Sequence, residues 1–145
     1  MKKLFYPLVL LAAMVVFIGC TKDKRNANKI DGKTFNVESI SIDGSNMAGD
    51  LPTVAFENCR IYKETCSGSM ARASENAAFA WQFREKGDVF EISNQSEGAN
   101  EITKLAISLS GIYNVEENKR GNFRISSSNT VGYPGQNVTI TMSEN

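Results

Sequence analysis

The chain has 145 residues, of which 22% are charged, with 16 basic side chains, 16 acidic side chains and no histidine. The absence of histidine excludes Ser-His-Asp and Cys-His catalysis and the usual zinc sites. The balanced charge offers no clustered basic surface for nucleic acid, and no carboxylate pair has the spacing of a glycosidase. We therefore predict a protein that is not an enzyme, uses no metal or cofactor and binds no nucleic acid.

The first twenty residues have the organisation of a secretory signal. A basic start at residues 1–3 precedes an apolar run, Leu4–Ile18, which is too short to span a bilayer as a mature helix. The run ends at Phe17-Ile18-Gly19-Cys20, which resembles the lipobox of bacterial lipoproteins, with Phe17 where leucine is usual. The resemblance implies that residues 1–19 are cut off as a signal peptide and that Cys20 is acylated on its thiol and amino group, for example with palmitate. An ordinary secretory signal with a cysteine near its cut site is the alternative.

This organisation predicts a location in the cell envelope, at the outer membrane, with the N-terminal lipid as the contact to the membrane. Removal of residues 1–19 would leave 14 basic and 16 acidic side chains. Residues 20–29 are polar and charged without periodicity, so we predict a flexible tether there and a single folded domain over residues 30–145. Basic residues that follow Cys20 suit anionic headgroups.

From residue 30 onwards, apolar and polar residues alternate between closely spaced turn residues, which predicts an all-β domain. The predicted strands cover residues 33–43, 53–62, 65–72, 77–85, 88–94, 104–116, 121–128 and 136–143. A phase slip within each of the first two strands predicts β-bulges. The one helical alternative is a single turn within Glu97–Lys104. Hairpin-like links favour a closed up-and-down barrel of about eight antiparallel strands over a two-sheet sandwich.

Two cysteines remain besides Cys20. Cys59 and Cys66 are separated by six residues, and an even pair in an oxidising compartment predicts a disulfide across a hairpin. A redox-active pair is the alternative, but it usually has the closer Cys-x-x-Cys spacing at a helix start. We therefore interpret the pair as a structural crosslink.

Four short segments carry a family resemblance: Ile30-Asp31-Gly32-Lys33-Thr34-Phe35, Leu51-Pro52-Thr53, Phe79-Ala80-Trp81-Gln82-Phe83 and Gly111-Ile112-Tyr113-Asn114-Val115. They resemble the lipocalin-like lipoproteins common in Bacteroidetes. One departure is that true lipocalins have Gly-x-Trp on the first strand, whereas here Gly32 is followed by Phe35 and Trp81 lies on a later strand. The resemblance implies a small barrel on a lipid anchor.

The function then depends on whether the barrel is hollow. A hollow barrel would bind a small hydrophobic ligand, and the candidate ligand-binding residues are Trp81, Tyr113, Phe79, Phe83 and Phe90. Small residues at inward positions, Gly68, Ala77 and Gly111, would leave local room. If the large side chains fill the barrel instead, the loops at one end would serve as an interaction or inhibitor module for an envelope protein. These loops are Asp43–Pro52, which is long enough to be a mobile lid, and Ala73–Asn76, Asn94–Glu101 and Ser127–Gln136.

Overall fold

The computed structural model describes residues 22–59 and 65–145. The predicted signal peptide and the predicted lipidation site Cys20 lie outside the described residues. The elements in chain order are α1 (Lys22–Ala27), β1 (Thr34–Ile42), β2 (Ser45–Asn46), β3 (Thr53–Phe56), β4 (Cys66–Arg72), β5 (Glu75–Arg84), β6 (Val89–Asn94), α2 (Glu101–Ser108), β7 (Gly111–Lys119), β8 (Asn122–Asn129) and β9 (Pro134–Glu144). A 3-10 turn, Glu85–Gly87, joins β5 to β6.

The strands form one closed antiparallel sheet. Apart from the two-residue strand β2, which pairs with the end of β1, neighbouring strands in the sheet are neighbours in sequence, and β1 also pairs with β9. Pairing of the first and last strands closes the sheet into a barrel of eight strands and removes its exposed edges. The prediction of an up-and-down β-barrel is therefore confirmed, and the two-sheet sandwich is wrong.

Side chains alternate between the barrel interior and solvent along most strands, as period-two patterning requires. On β5, Ala77, Phe79, Trp81 and Phe83 are all buried. The predicted bulge in the first strand is confirmed, because the register between β1 and β9 shifts between Val37 and Ser39. This shift lets residues on both sides of the bulge face the interior.

The second strand is shorter than the predicted span 53–62. β3 ends at Phe56, residues 57–59 are not in a strand, and residues 60–64 lie outside the described residues. The predicted bulge between Phe56 and Cys59 is wrong, since the strand has ended before the phase changes. The predicted disulfide is confirmed: Cys59 bonds to Cys66, with 5.4 Å between their Cα atoms.

The predicted strand 104–116 is wrong in its first half, where α2 occupies Glu101–Ser108 and β7 begins only at Gly111. The Asn100 side chain caps the helix by accepting a hydrogen bond of 2.8 Å from the Thr103 N–H. The buried residues Ile102, Ala106 and Leu109 then follow at helical spacing. The residues Leu105, Ile107 and Leu109 also satisfy a period of two, which is why the segment resembled a strand.

The start of the chain also differs from the prediction, which placed a flexible tether over residues 20–29. Residues 22–27 form α1, and Ala27 and Ile30 are buried against the barrel. Asn118 Nδ2 donates to the Asn26 carbonyl at 3.1 Å, and Asn26 Nδ2 donates to the Lys86 carbonyl at 3.4 Å. Residues 22–30 are thus packed on the barrel, because two buried apolar side chains and one buried amide dock a helix that has no apolar periodicity.

Docking of α1 can be tested at Gly87, where an added Cβ would lie 1.8 Å from Asn26 Nδ2. Gly121 is a matched control, because its φ of +84° resembles the +87° of Gly87 and a Cβ there would meet no described atom within 4 Å. Both Gly→Ala variants carry the cost of a left-handed backbone, ~1–2 kcal/mol. We expect Gly87→Ala to lose roughly 1–3 kcal/mol more in urea unfolding, because α1 must shift. Equal losses in the two variants would contradict this packing.

Candidate functional site

The up-and-down topology divides the connections between the two ends of the barrel. At the loop end lie residues 43–52, 73–74, 95–110 with α2, and 130–133. At the α1 end lie α1 with residues 28–33, residues 57–59, the 3-10 turn and the β7–β8 turn. The four loops predicted to share one end therefore do so.

The half of the barrel next to α1 is filled with aromatic rings. Phe56 lies at the centre of this cluster, with its ring centroid 5.4 Å from that of Trp81 and in an edge-to-face arrangement. Four further rings surround it edge-on at 5.7–6.1 Å: Phe35, Phe79, Phe90 and Phe123. Edge-to-face pairs of this kind stabilise beyond the area that they bury, by ~0.5–1.5 kcal/mol each.

The five residues predicted to contact a ligand are all buried in the core: Trp81, Tyr113, Phe79, Phe83 and Phe90. The polar atoms of the two amphipathic ones already have partners within the protein. Trp81 Nε1 donates to the Ser67 carbonyl at 2.8 Å, and Tyr113 Oη donates to the Leu109 carbonyl at 2.5 Å. Neither group is thus available to a ligand in this conformation.

A small apolar cavity remains in the half of the barrel next to α2. Its volume is about 20 Å³, which is near the size of one water molecule and far below the ~300–1,000 Å³ of ligand pockets. Of the five predicted ligand contacts, Phe79 lines this cavity and the other four do not. The lining residues are Val37, Ile40, Val54, Phe56, Met70, Phe79, Ile92, Leu109, Ile140 and Met142.

Helix α2 packs on the loop end beside this cavity, a position where the sequence predicted mainly a strand. The Ile102 N–H donates to Glu75 Oε2 at 3.3 Å, which attaches the start of the helix to β5. At its other end, Ser110 Oγ accepts a hydrogen bond from the Asn94 N–H at 2.9 Å. Beside α2 is an open groove of about 200 Å³ with mixed charge, lined by Met47, Arg72, Glu101, Lys104, Leu105, Ser108 and Tyr133.

A second groove, which we call the β7–β8 groove, lies where these two strands separate near the loop end. Asn114 pairs with Ser126, but the next bridge joins Gly111 to Thr130, so β8 has one extra residue. The hydroxyl of Ser127 fills the gap by donating to the Ile112 carbonyl at 2.7 Å. The groove has a volume of about 360 Å³ and an uncharged lining of Ser110, Gly111, Ile112, Asn114, Ser127, Ser128, Asn129, Thr130 and Val131.

Exposed apolar side chains accompany this groove. Among the described residues, the large apolar side chains that remain exposed are Val131 (65%), Ile112 (57%) and Ile107 (39%). Val131 and Ile112 line the groove, and Ile107 lies on α2. In the sequence, Ile112 alternates with Tyr113 and was therefore expected to point outwards, but the alternation alone did not reveal a groove. The loop position of Val131 gave no signal.

The described residues contain no group of three or more His, Cys, Asp or Glu side chains that could hold a metal ion. In the same part of the chain, no helix combines the length and the hydropathy needed to cross a bilayer. On the surface of α2, Lys104 lowers the pKa of Glu101 through a 2.8 Å hydrogen bond, and Glu101 in turn raises the pKa of Lys104. This is an exposed ion pair at helical spacing.

The closed eight-stranded sheet, with sequential strand order and a helix at each end, defines a lipocalin-like all-β barrel. No protein-family model and no curated protein matches the chain. Among solved structures, the chain is similar to Japanin from Rhipicephalus appendiculatus bound to cholesterol, with a TM-score of 0.49 and 10% sequence identity. That similarity covers 79% of this chain and 76% of the other chain.

Removal of the central ring should destabilise the barrel strongly. We expect Phe56→Ala to lower the free energy of unfolding by ~3–5 kcal/mol, because the residue contacts rings from several strands and leaves a cavity that they cannot refill. Urea unfolding followed by tryptophan fluorescence would measure the loss, since Trp81 is in contact with Phe56. The exposed Ile112→Ala variant serves as the control, with an expected change within ~0.5 kcal/mol. A similarly small change for Phe56→Ala would contradict the central role of this ring.

Burial raises the pKa of the Tyr113 phenol above its ordinary value. Because the unfolded chain ionises this phenol near pH ~10 and the folded protein does not, its contribution to stability is complete below that pH and is lost as the pH rises above it. We expect Tyr113→Phe to cost ~1 kcal/mol at neutral pH through the lost hydrogen bond. Above pH ~10, its unfolding free energy should fall less steeply than that of the wild type. Parallel pH curves from urea titrations would exclude the effect.

Proposed function

We propose that the protein is a lipid-anchored envelope lipoprotein that acts without catalysis, as a protein-interaction module on a filled lipocalin-like barrel. The observation that carries this proposal is the small size of the apolar cavity in the barrel, which has a volume of about 20 Å³. A barrel packed in this way is a rigid support. Its useful surfaces are then on the outside, where loops on a rigid scaffold commonly bind partners.

The β7–β8 groove is the surface that best fits a protein partner. Its uncharged hydroxyl and amide groups can make hydrogen bonds without the cost of desolvating a charge. The exposed side chains of Ile112 and Val131 supply the apolar contact that the cores of interfaces need. The loop next to it is held in place, because the Val131 and Gly132 N–H groups both donate at 2.9 Å to carbonyls of Ser110 and Ser108.

A second candidate function is the binding of a small hydrophobic ligand, and the composition of the cavity favours it. The cavity is lined only by apolar side chains, including the flexible Met70 and Met142. It lies beside α2, and the 200 Å³ groove adjoins the same helix. In this alternative, α2 would have to move away from the barrel and the methionines would have to change rotamer before a ligand could enter.

The membrane anchor rests on the sequence signal at residues 1–20. We expect mass spectrometry of the mature protein to show an amino terminus at Cys20 with acyl chains on the thiol and the amino group. One acyl chain gives only marginal attachment, but several hold a protein stably on a membrane. The variant Cys20→Ala should lose the lipid and the membrane attachment. An unmodified amino terminus at another residue would contradict the anchor.

Two measurements separate the interaction module from the ligand carrier. We expect photo-crosslinking from position 128, in the groove, to give a discrete protein adduct in the native cell envelope, and position 38 on β1, which β9 separates from β8, to give none. Double substitution Ile112→Asp/Val131→Asp should abolish the adduct without changing the unfolding midpoint, because both side chains are exposed.

The complementary measurement is titration of the purified protein with a fluorescent fatty acid. We expect no saturable binding by the wild type, because the lumen is full. Saturable binding that is lost in a variant with α2 fixed to β5 by an added disulfide would favour the carrier, and absence of a groove-dependent adduct would then overturn the interaction module.

A further inference from the structure

The charged side chains of the described residues are divided unequally between the two ends of the barrel. Without residues 23 and 24, whose side chains are not described, the α1 end and the strand termini that border it have eight basic and five acidic side chains. The basic ones are Lys22, Arg25, Lys29, Lys33, Arg84, Lys86, Lys119 and Arg120, and the acidic ones are Asp31, Glu57, Glu85, Asp88 and Glu144.

The loop end has the opposite balance. Its basic side chains are Arg72 and Lys104, and its acidic ones are Asp43, Asp50, Glu75, Glu97 and Glu101. The chain as a whole is balanced in charge, so the separation is a property of the fold rather than of the composition. The sequence alone did not show this charge separation, because the strand order is needed to tell at which end of the barrel each turn lies.

Several cations of the α1 end are available to a partner. Lys22 pairs with Asp88 at 2.9 Å, Lys33 with Glu144 at 2.8 Å and Lys119 with Glu117 at 3.2 Å. By contrast, Arg25, Lys86 and Arg120 are exposed and have no carboxylate of the described residues within ion-pair distance. They come from three separate segments, which spreads the positive charge over the whole end rather than along one strand.

The chain reaches this end directly from the predicted lipidation site. Lys22 is the first residue of α1, so a single residue, Thr21, separates it from Cys20, and the Cα atoms of Cys20 and Lys22 can be at most about 7 Å apart. Helix α1 cannot swing away freely, because Lys29 Nζ donates to the Asn118 carbonyl at 2.8 Å and Asn26 is enclosed against Gly87. A lipid on Cys20 would therefore bring the α1 end to the membrane surface.

We propose that the α1 end is a docking surface for anionic phospholipid headgroups, which holds the barrel upright on the membrane with its loop end towards the surrounding space. This inference rests on the proposed lipid anchor. The charge separation suits it, because electrostatic attraction acts within a Debye length of ~8–10 Å. The strands, at ~3.3 Å per residue, place the acidic loop end well beyond that range, so its repulsion is screened. The β7–β8 groove is then presented away from the bilayer.

The chain provides its own reporters for a test of this orientation. Mature lipidated protein is reconstituted into vesicles of phosphatidylcholine with or without phosphatidylglycerol, and lysine acetylation is followed by mass spectrometry. Lys86 and Lys119 report on the α1 end and Lys104 on the loop end, and the side chains of Lys119 and Lys104 are 78% and 59% exposed. We expect acetylation of Lys86 and Lys119 to slow several-fold on the anionic vesicles, and that of Lys104 to stay unchanged. Added salt should reverse the protection.

Charge reversal supplies a matched pair of variants. Lys119→Glu/Arg120→Glu at the α1 end and Lys104→Glu/Arg124→Glu elsewhere change the net charge equally, and each breaks one exposed ion pair. We expect the first variant to lose the protection of Lys86 and the second to retain it. Equal acetylation of Lys86 and Lys104 on both vesicle types, with the protein still bound, would overturn the docking surface. Failure to float with either vesicle type would instead contradict the lipid anchor, so the two failures are distinguishable.

Discussion

Contacts around the ring of Phe56 hold the two sides of the barrel together. Its edge-to-face partners come from β1, β5, β6 and β8. A single side chain on the short strand β3 thus connects its neighbour β1 with three strands that do not pair with β3. A closed sheet of eight strands needs such a filling, because backbone pairing alone fixes neighbours and leaves the interior empty. The size of the remaining cavity and the burial of Trp81 both depend on this cluster.

The aromatic cluster fills one half of the barrel, and the function proposed above therefore uses the outer surface. The cluster occupies the half next to α1, and α2 covers the other half, where the apolar cavity remains. The surfaces that the proposals assign to partners are the β7–β8 groove, where the pairing between these strands opens, and the α1 end of the barrel. Local irregularity in a regular sheet creates the groove, since the extra residue of β8 separates the strands and Ile112 and Val131 stay exposed beside it. The charge of the two ends is a separate property of the same topology.

Much of the barrel could be predicted from the sequence, because alternation reports directly which side chains face inwards. The β5 pattern and the slip in β1 are examples, and Cys59 and Cys66 were paired correctly. Alternation did not distinguish a strand from α2, since Leu105, Ile107 and Leu109 satisfy both periods. It also missed α1, whose attachment depends on the amide of Asn26 and on contacts with residues about ninety positions later in the chain.

The candidate site was harder to predict, because the alternation shows which side chains face the interior but not how much space they leave there. Gly68 was expected to leave room in the lumen, yet the Phe79 ring fills it so closely that an added Cβ would lie 2.5 Å from that ring. Likewise, Trp81 and Tyr113 were chosen as amphipathic ligand contacts, but their polar atoms bond to carbonyls of the protein. Whether a polar group is already satisfied depends on residues distant in sequence, and this information is absent from the local pattern.

Pairing between β1 and β9 also determines when the barrel can form. Phe35 on β1 pairs with Glu144 on β9. The sheet therefore cannot close until nearly the whole domain has been synthesised. At ~5–20 residues per second, the earlier strands wait for several seconds with the β9-facing edge of β1 unpaired. Folding dominated by such distant contacts is slow. The growing chain must therefore be protected from association with other strands until its last segment has arrived.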